Sequence, residues 1–125
     1  MDVFSVNLYQ AHLLDHYKNP RHKGVLERAD FSSGQYNPSC ADSVSFQGMV
    51  KEGSLEAIAF QGSGCVISQA SASIIAEYAL GKSVSAIAQL DTEAYMQLLG
   101  IELGPNRLKC ALLPLHALQE GLKTL

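Results

Sequence analysis

At 125 residues, with 47% hydrophobic and 17% charged residues, the chain has the composition of one globular domain, and it can bury roughly two-thirds of its unfolded surface without disulfide staples. A net charge of -3 and a pI near 5.7 argue against a nucleic-acid or anionic-membrane surface. No signal peptide or membrane-length apolar run is visible, and an odd count of three cysteines fits a reducing compartment better than a disulfide framework. The expectation is a single cytoplasmic domain over residues 1–125.

Taken in order, Val6, Tyr9, Leu13, Leu14 and Tyr17 fall at helical spacing, and Asn19-Pro20 ends that helix because the residue before proline is pushed out of the helical region. Residues 21–35 read as an irregular connection with room for a short edge strand. Polar and apolar residues then alternate from Ser43 and continue to Val50. Lys51-Glu52-Gly53-Ser54 is a turn, and Leu55 to Phe60 gives a second strand, so the two make a β-hairpin. A long helix is predicted from Val66 to Leu80 with Gly81 as its C-terminal cap. Its alanines and serines imply close packing against a neighbour. Shorter helices follow, one capped by Ser83 and one by Asp91 or Thr92. Gly104-Pro105 opens the last helical region, in which Pro114 predicts a kink or a restart. Helix, strands, then helices favours an α+β layer over a βαβ fold.

Asn37-Pro38-Ser39-Cys40-Ala41-Asp42 sets a thiol and a carboxylate two residues apart. Residues i and i+2 of an extended chain share a side, so Cys40 and Asp42 can reach one ion together. With Cys65 and Cys110 they form a set of three thiolates and one carboxylate, whose softness suits zinc or iron. The bland reading is that each cysteine is a small buried hydrophobe. Against it, each lies at an inferred element boundary, Cys65 sits at the start of a helix where unpaired N–H groups attract negative charge, and Lys109 adjoins Cys110. The separations, 25 residues from Cys40 to Cys65 and 45 from Cys65 to Cys110, match no zinc finger. Any shared site therefore depends on a preformed fold. The residues alone leave both readings open.

Other candidates carry less. His12 and His16, spaced i and i+4, suit a metal on one helix face, although a solvated helix end is the commoner reading. His22 and His116 have no carboxylate pattern beside them. Gly62-x-Gly64 is too short for a phosphate loop. Lys18, Arg21, His22 and Lys23 form a basic patch, read as a solvated loop or as a dock for an acidic partner.

Four segments together resemble the iron-sulfur cluster assembly scaffolds of the IscU/SufU/NifU N-terminal family. Residues 16–24, HYKNPRHKG, resemble the family's "DHY-NPR--G" segment, and residues 37–42, NPSCAD, its "NP-CGD" motif. Residues 62–73, GSGCVISQASAS, resemble "G-GC-IS-ASAS", followed by Gly81-Lys82, and residues 107–111, RLKCA, resemble the third cysteine motif. The resemblance implies a SufE/NifU-like (IscU-like) α+β fold, with a small antiparallel sheet of about three strands packed on one side by helices. It also implies that Cys40, Cys65 and Cys110 are persulfide acceptors and, with Asp42, ligands to a transient [2Fe-2S] cluster. The partners implied are a cysteine desulfurase and recipient apo iron-sulfur proteins, with neither nucleic acid nor membrane. The role is that of a scaffold and sulfur acceptor, not an enzyme. The alternative is a SufU-like zinc-dependent sulfurtransferase with Zn²⁺ on the same four residues, and a third reading is a zinc-stabilised interaction module.

Two departures stand out. Position 41 is Ala where the family usually has Gly. IscU-like members carry a His before the third cysteine and an "LPPVK" motif read by a dedicated Hsp70 chaperone. Here residues 103–109 read LGPNRLK, so both features are missing and that chaperone contact is not expected. Lys109 instead resembles the SufU branch, yet the 45-residue gap leaves no room for the insertion usual there. The chain sits between the branches.

Overall fold

Val44, Phe46 and Gly48 are buried while Ser45 and Gln47 between them are half-buried, the alternation of a strand with one face on a core. The computed structural model describes residues 3–38 and 41–125, with the side chains of the first helix described from Ala11 onward. Its elements are α1 (Val3–Lys18), β1 (Phe31–Asn37), β2 (Asp42–Lys51), β3 (Ser54–Ser63), α2 (Val66–Ala79), α3 (Val84–Ala88), α4 (Thr92–Leu99) and α5 (Pro105–Leu122). The three strands form an antiparallel sheet in the order β1-β2-β3, as an α+β fold requires. Lys51 pairs with Ser54, which leaves Glu52 and Gly53 as a two-residue turn. Both have positive φ (53° and 79°), the geometry whose twist matches a hairpin.

The connection over residues 21–35 is more ordered than its composition implies. β1 is a regular edge strand, from Phe31 opposite Gly48 to Asn37 opposite Asp42. Its signal is weak because Phe31 is its one buried apolar side chain. That ring occupies the space a Cβ would take on Gly48 and Gly121, while Ser33 Oγ donates to the Ala117 carbonyl at 2.5 Å, fastening β1 to α5. Residues 22–24 run along the free edge of β3. Phe60 N–H donates to the His22 carbonyl and Gly24 N–H donates to the Phe60 carbonyl, each at 2.9 Å.

α2 and α5 cover the inner face of the sheet, and α1 packs on α2. Residues Ser68 to Ala76 of α2 are all buried, which small side chains permit because they let neighbouring backbones approach closely. The restart expected at Pro114 does not occur: α5 runs unbroken from Pro105 to Leu122. Proline costs the helix one N–H and crowds the preceding turn, and in that turn the Tyr95 hydroxyl donates to the Ala111 carbonyl at 2.5 Å. The helical donor that proline withdraws belongs to the Cys110 carbonyl, so the Tyr95 bond reinforces the turn at the next residue, and Pro114 itself is buried. No described helix is long and apolar enough to cross a membrane.

Candidate metal centre

Asp42 opens β2 and is fully buried. Its carboxylate faces the start of α2, where Oδ1 accepts the Cys65 N–H at 2.7 Å and Oδ2 lies 3.4 Å from Cys65 Sγ. Cys65 is the N-cap of α2, and its sulfur accepts the Ser68 N–H at 3.4 Å. A cap of this kind answers one of the unpaired donors of a helix start. The same residue thus ends the β3 excursion, starts α2 and meets the carboxylate of β2.

The glycines flanking Ser63 make this meeting possible. Gly64 has φ +134°, and a Cβ there would fall inside van der Waals contact of Asp42 Oδ1 and Cγ. A Cβ on Gly62 would collide with the Ser43 carbonyl. Gly62-Ser63-Gly64 is therefore a close-approach device that lets β3 and β2 deliver Cys65 to Asp42.

Cys110 completes the described cluster. One ligand atom from each of Asp42, Cys65 and Cys110 lies within 4.8 Å of the others. Cys110 is not at an element boundary, where the sequence reading places it. It is buried in the second turn of α5, with its thiol 3.7 Å from the Asn106 carbonyl. Pro105 at the first position starts α5 early enough that Cys110 turns inward. Cys40, the fourth member expected from the sequence, lies outside the described residues. The next residue, Ala41, has φ 54°, in the left-handed region.

The donor set fits a thiophilic cation. Around a tetrahedral zinc with bonds of about 2.3 Å, ligand sulfurs stand roughly 3.8 Å apart. The three side chains are already within about an ångström of that spacing.

The remaining candidates fall elsewhere. His16 is not a solvated helix end: it is buried, and its Nδ1 lies 2.8 Å from Ser73 Oγ, tying α1 to α2. Burial holds its imidazole below the ordinary histidine range, with the charges of Arg21 and His12 acting in the same direction. Arg21 is not a spare cation of the basic patch either. Its guanidinium pairs with Asp15 at 2.7 Å and Glu77 at 3.6 Å, and its hydrogen bond holds the Asp15 carboxyl below its usual value. Gln69 went unnoticed in the sequence. It is buried behind the site, and nothing in its local pattern marks it.

Fold and site define a small α+β protein whose Asp42, Cys65 and Cys110 lie close enough together to share one soft metal ion. The chain belongs to the family described as "NifU-like N terminal domain", whose model matches residues 8–125. It is 34% identical to the iron-sulfur cluster assembly scaffold protein IscU of Streptococcus pyogenes serotype M1, over 94% of this chain and 84% of that one. It is 33% identical to the zinc-dependent sulfurtransferase SufU of Bacillus subtilis (strain 168), covering 91% of this chain and 88% of the relative. Among solved structures, a candidate scaffold protein for the SUF system of Fervidobacterium islandicum AW-1 superposes with a TM-score of 0.75 at 25% identity, over 89% of this chain and 93% of that one.

Proposed function

We propose that this chain is an iron-sulfur cluster assembly scaffold, on which sulfur and iron are brought together at Cys40, Asp42, Cys65 and Cys110. The observation that carries the reading is the convergence of Asp42, Cys65 and Cys110 within 4.8 Å, from a strand end, a helix cap and a helix interior. The relatives named as scaffolds support it. The cluster is cargo. Thiolates hold iron-sulfur clusters, and a lone carboxylate is the weaker corner at which cargo is released. The partners are a cysteine desulfurase and recipient apoproteins.

Sulfur enters by thiolate exchange. A cysteine thiolate of the site attacks the terminal sulfur of the desulfurase persulfide. One S–S bond forms as the other breaks, and the desulfurase thiolate leaves. The transferred sulfur is later reduced to sulfide by an outside electron donor. Cys65 is half-buried and Cys110 buried, so access differs between the two.

A second reading is favoured by the likeness to the zinc-dependent sulfurtransferase. The same donors fit Zn²⁺, which would hold the thiols deprotonated and order the surrounding segments. Anaerobic incubation with iron, cysteine and a desulfurase separates the two. Visible bands of a [2Fe-2S] centre that fade when apo-ferredoxin is added are the expected result. Tightly held zinc, no cluster bands, and a faster desulfurase would instead establish the sulfurtransferase.

A further inference from the structure

Gln69 lies outside the ligand set, yet its surroundings are unusual. It sits in the first turn of α2 and is 7% exposed, packed where a Cβ on Gly62 would lie within 3.0 Å of Oε1. Its Nε2 donates to the Ser43 carbonyl at 3.3 Å and to Ser68 Oγ at 3.1 Å. Its Oε1 is buried with no hydrogen-bond partner among the described residues. Buried amides are normally satisfied at both ends, and an orphaned carbonyl is a cost that an apolar side chain of the same length avoids. Packing alone does not explain a glutamine here.

We infer that Gln69 is a positioning residue for the Asp42 carboxylate, an inference that rests on the metal-site reading above. Asp42 and Ser43 are the first two residues of β2, next to the left-handed Ala41. The first turn of α2 holds both of them. Cys65 N–H binds the Asp42 carboxylate, and Gln69 Nε2 binds the Ser43 carbonyl. Gln69 is in turn steadied by Ser68, whose hydroxyl donates to the Cys65 carbonyl at 3.2 Å. The network closes a ring from Cys65 through Ser68 and Gln69 to Ser43 and back through Asp42. With the Gln69 tie removed, Asp42 and Ser43 keep their ladder partners in β1 and β3, but Cys65 alone joins this end of β2 to the first turn of α2. The carboxylate then loses its fixed place beside the sulfur.

The test uses Co²⁺ alone as the probe on the full chain, comparing wild type, Gln69→Leu, Gln69→Met and Asp42→Ala. Outer-shell partners of metal ligands typically change affinity by about 10- to 100-fold. The expected result is that both Gln69 variants weaken Co²⁺ binding by about tenfold. Their visible d–d bands should shift towards those of Asp42→Ala, while the thermal midpoint of the metal-free protein stays at or above the wild-type value. Wild-type Co²⁺ bands and affinity in either folded Gln69 variant overturn the inference and leave the metal site intact. Failure of the wild type to bind Co²⁺ overturns the metal site and the inference with it. A drop in metal-free stability with unchanged bands makes Gln69 merely structural and also overturns it.

Discussion

Asp42 is a buried carboxylate with both oxygens directed at one residue, the N–H and thiol of Cys65. A buried carboxylate is expensive unless paired, and the thiol proton is a stand-in for a cation. Metal binding should therefore release protons. At pH 7, Zn²⁺ loading followed in weakly buffered dye should acidify the solution, and affinity should fall as the pH is lowered. Loading without proton release would mean that the thiols are not ligands. Gly64 is the residue on which this geometry turns. Gly64→Ala places a Cβ against the carboxylate at a φ that L side chains rarely adopt, and metal affinity should drop by tenfold or more, about 1.4 kcal/mol or greater. Ala41 carries the opposite error, a side chain in the left-handed region, which costs about 1–2 kcal/mol. After the entropy glycine loses on folding is deducted, Ala41→Gly should raise metal-free stability by about 0.5–1 kcal/mol. A lower denaturant midpoint would contradict this. The ligands were legible as motif letters, but the reason for two glycines was not. It is a collision with Asp42 and Ser43, 19 to 22 residues earlier in the chain, that only the folded sheet reveals.

At the scale of elements, α1 and α2 are joined by a titrating contact. His16 is neutral and buried against Ser73, whose hydroxyl also accepts the Arg21 N–H at 2.8 Å. His12, Arg21, Asp15 and Glu77 are the charged groups acting on it. Its folded value lies below the ordinary 6.5, so below that pH the unfolded chain binds a proton that the folded chain resists. Stability is then full above about pH 6.5 and declines as the pH falls below it. Thermal midpoints measured between about pH 7.5 and about pH 5.5 should fall for wild type and fall less for His16→Gln. Equal slopes would remove His16 from the account. The i, i+4 histidine pair was visible in the sequence, but its role was not, because Ser73 is 57 residues away. α5 teaches the same lesson. A proline predicts a break from local rules alone, while the Tyr95 hydroxyl that meets the turn before it comes from α4. Tyr95→Phe should cost about 0.5–1.5 kcal/mol by removing a tertiary hydrogen bond to the Ala111 carbonyl, which keeps its helical partner, the Leu115 N–H, read by denaturant titration. A neutral substitution would show that α5 tolerates Pro114 unaided.

On the scale of the whole molecule, the fold brings a strand end, a helix cap and the second turn of a long helix to one point. Strand alternation, the turn at Glu52-Gly53 and the small-residue helix were readable in the chain, as was the α+β order. The convergence itself was not: nothing in a 45-residue gap says that Cys110 turns inward to Cys65, and that knowledge came only through the resemblance of motifs. Its helical setting was misjudged for the same reason. Cys40, which the motifs add as the fourth member, calls for a direct probe. X-ray absorption of the zinc-loaded protein supplies it. The account predicts three sulfurs at about 2.3 Å and one oxygen at about 2.0–2.2 Å, with one sulfur lost in Cys40→Ser. A shell of only oxygen and nitrogen, or one unchanged in Cys40→Ser, would contradict it.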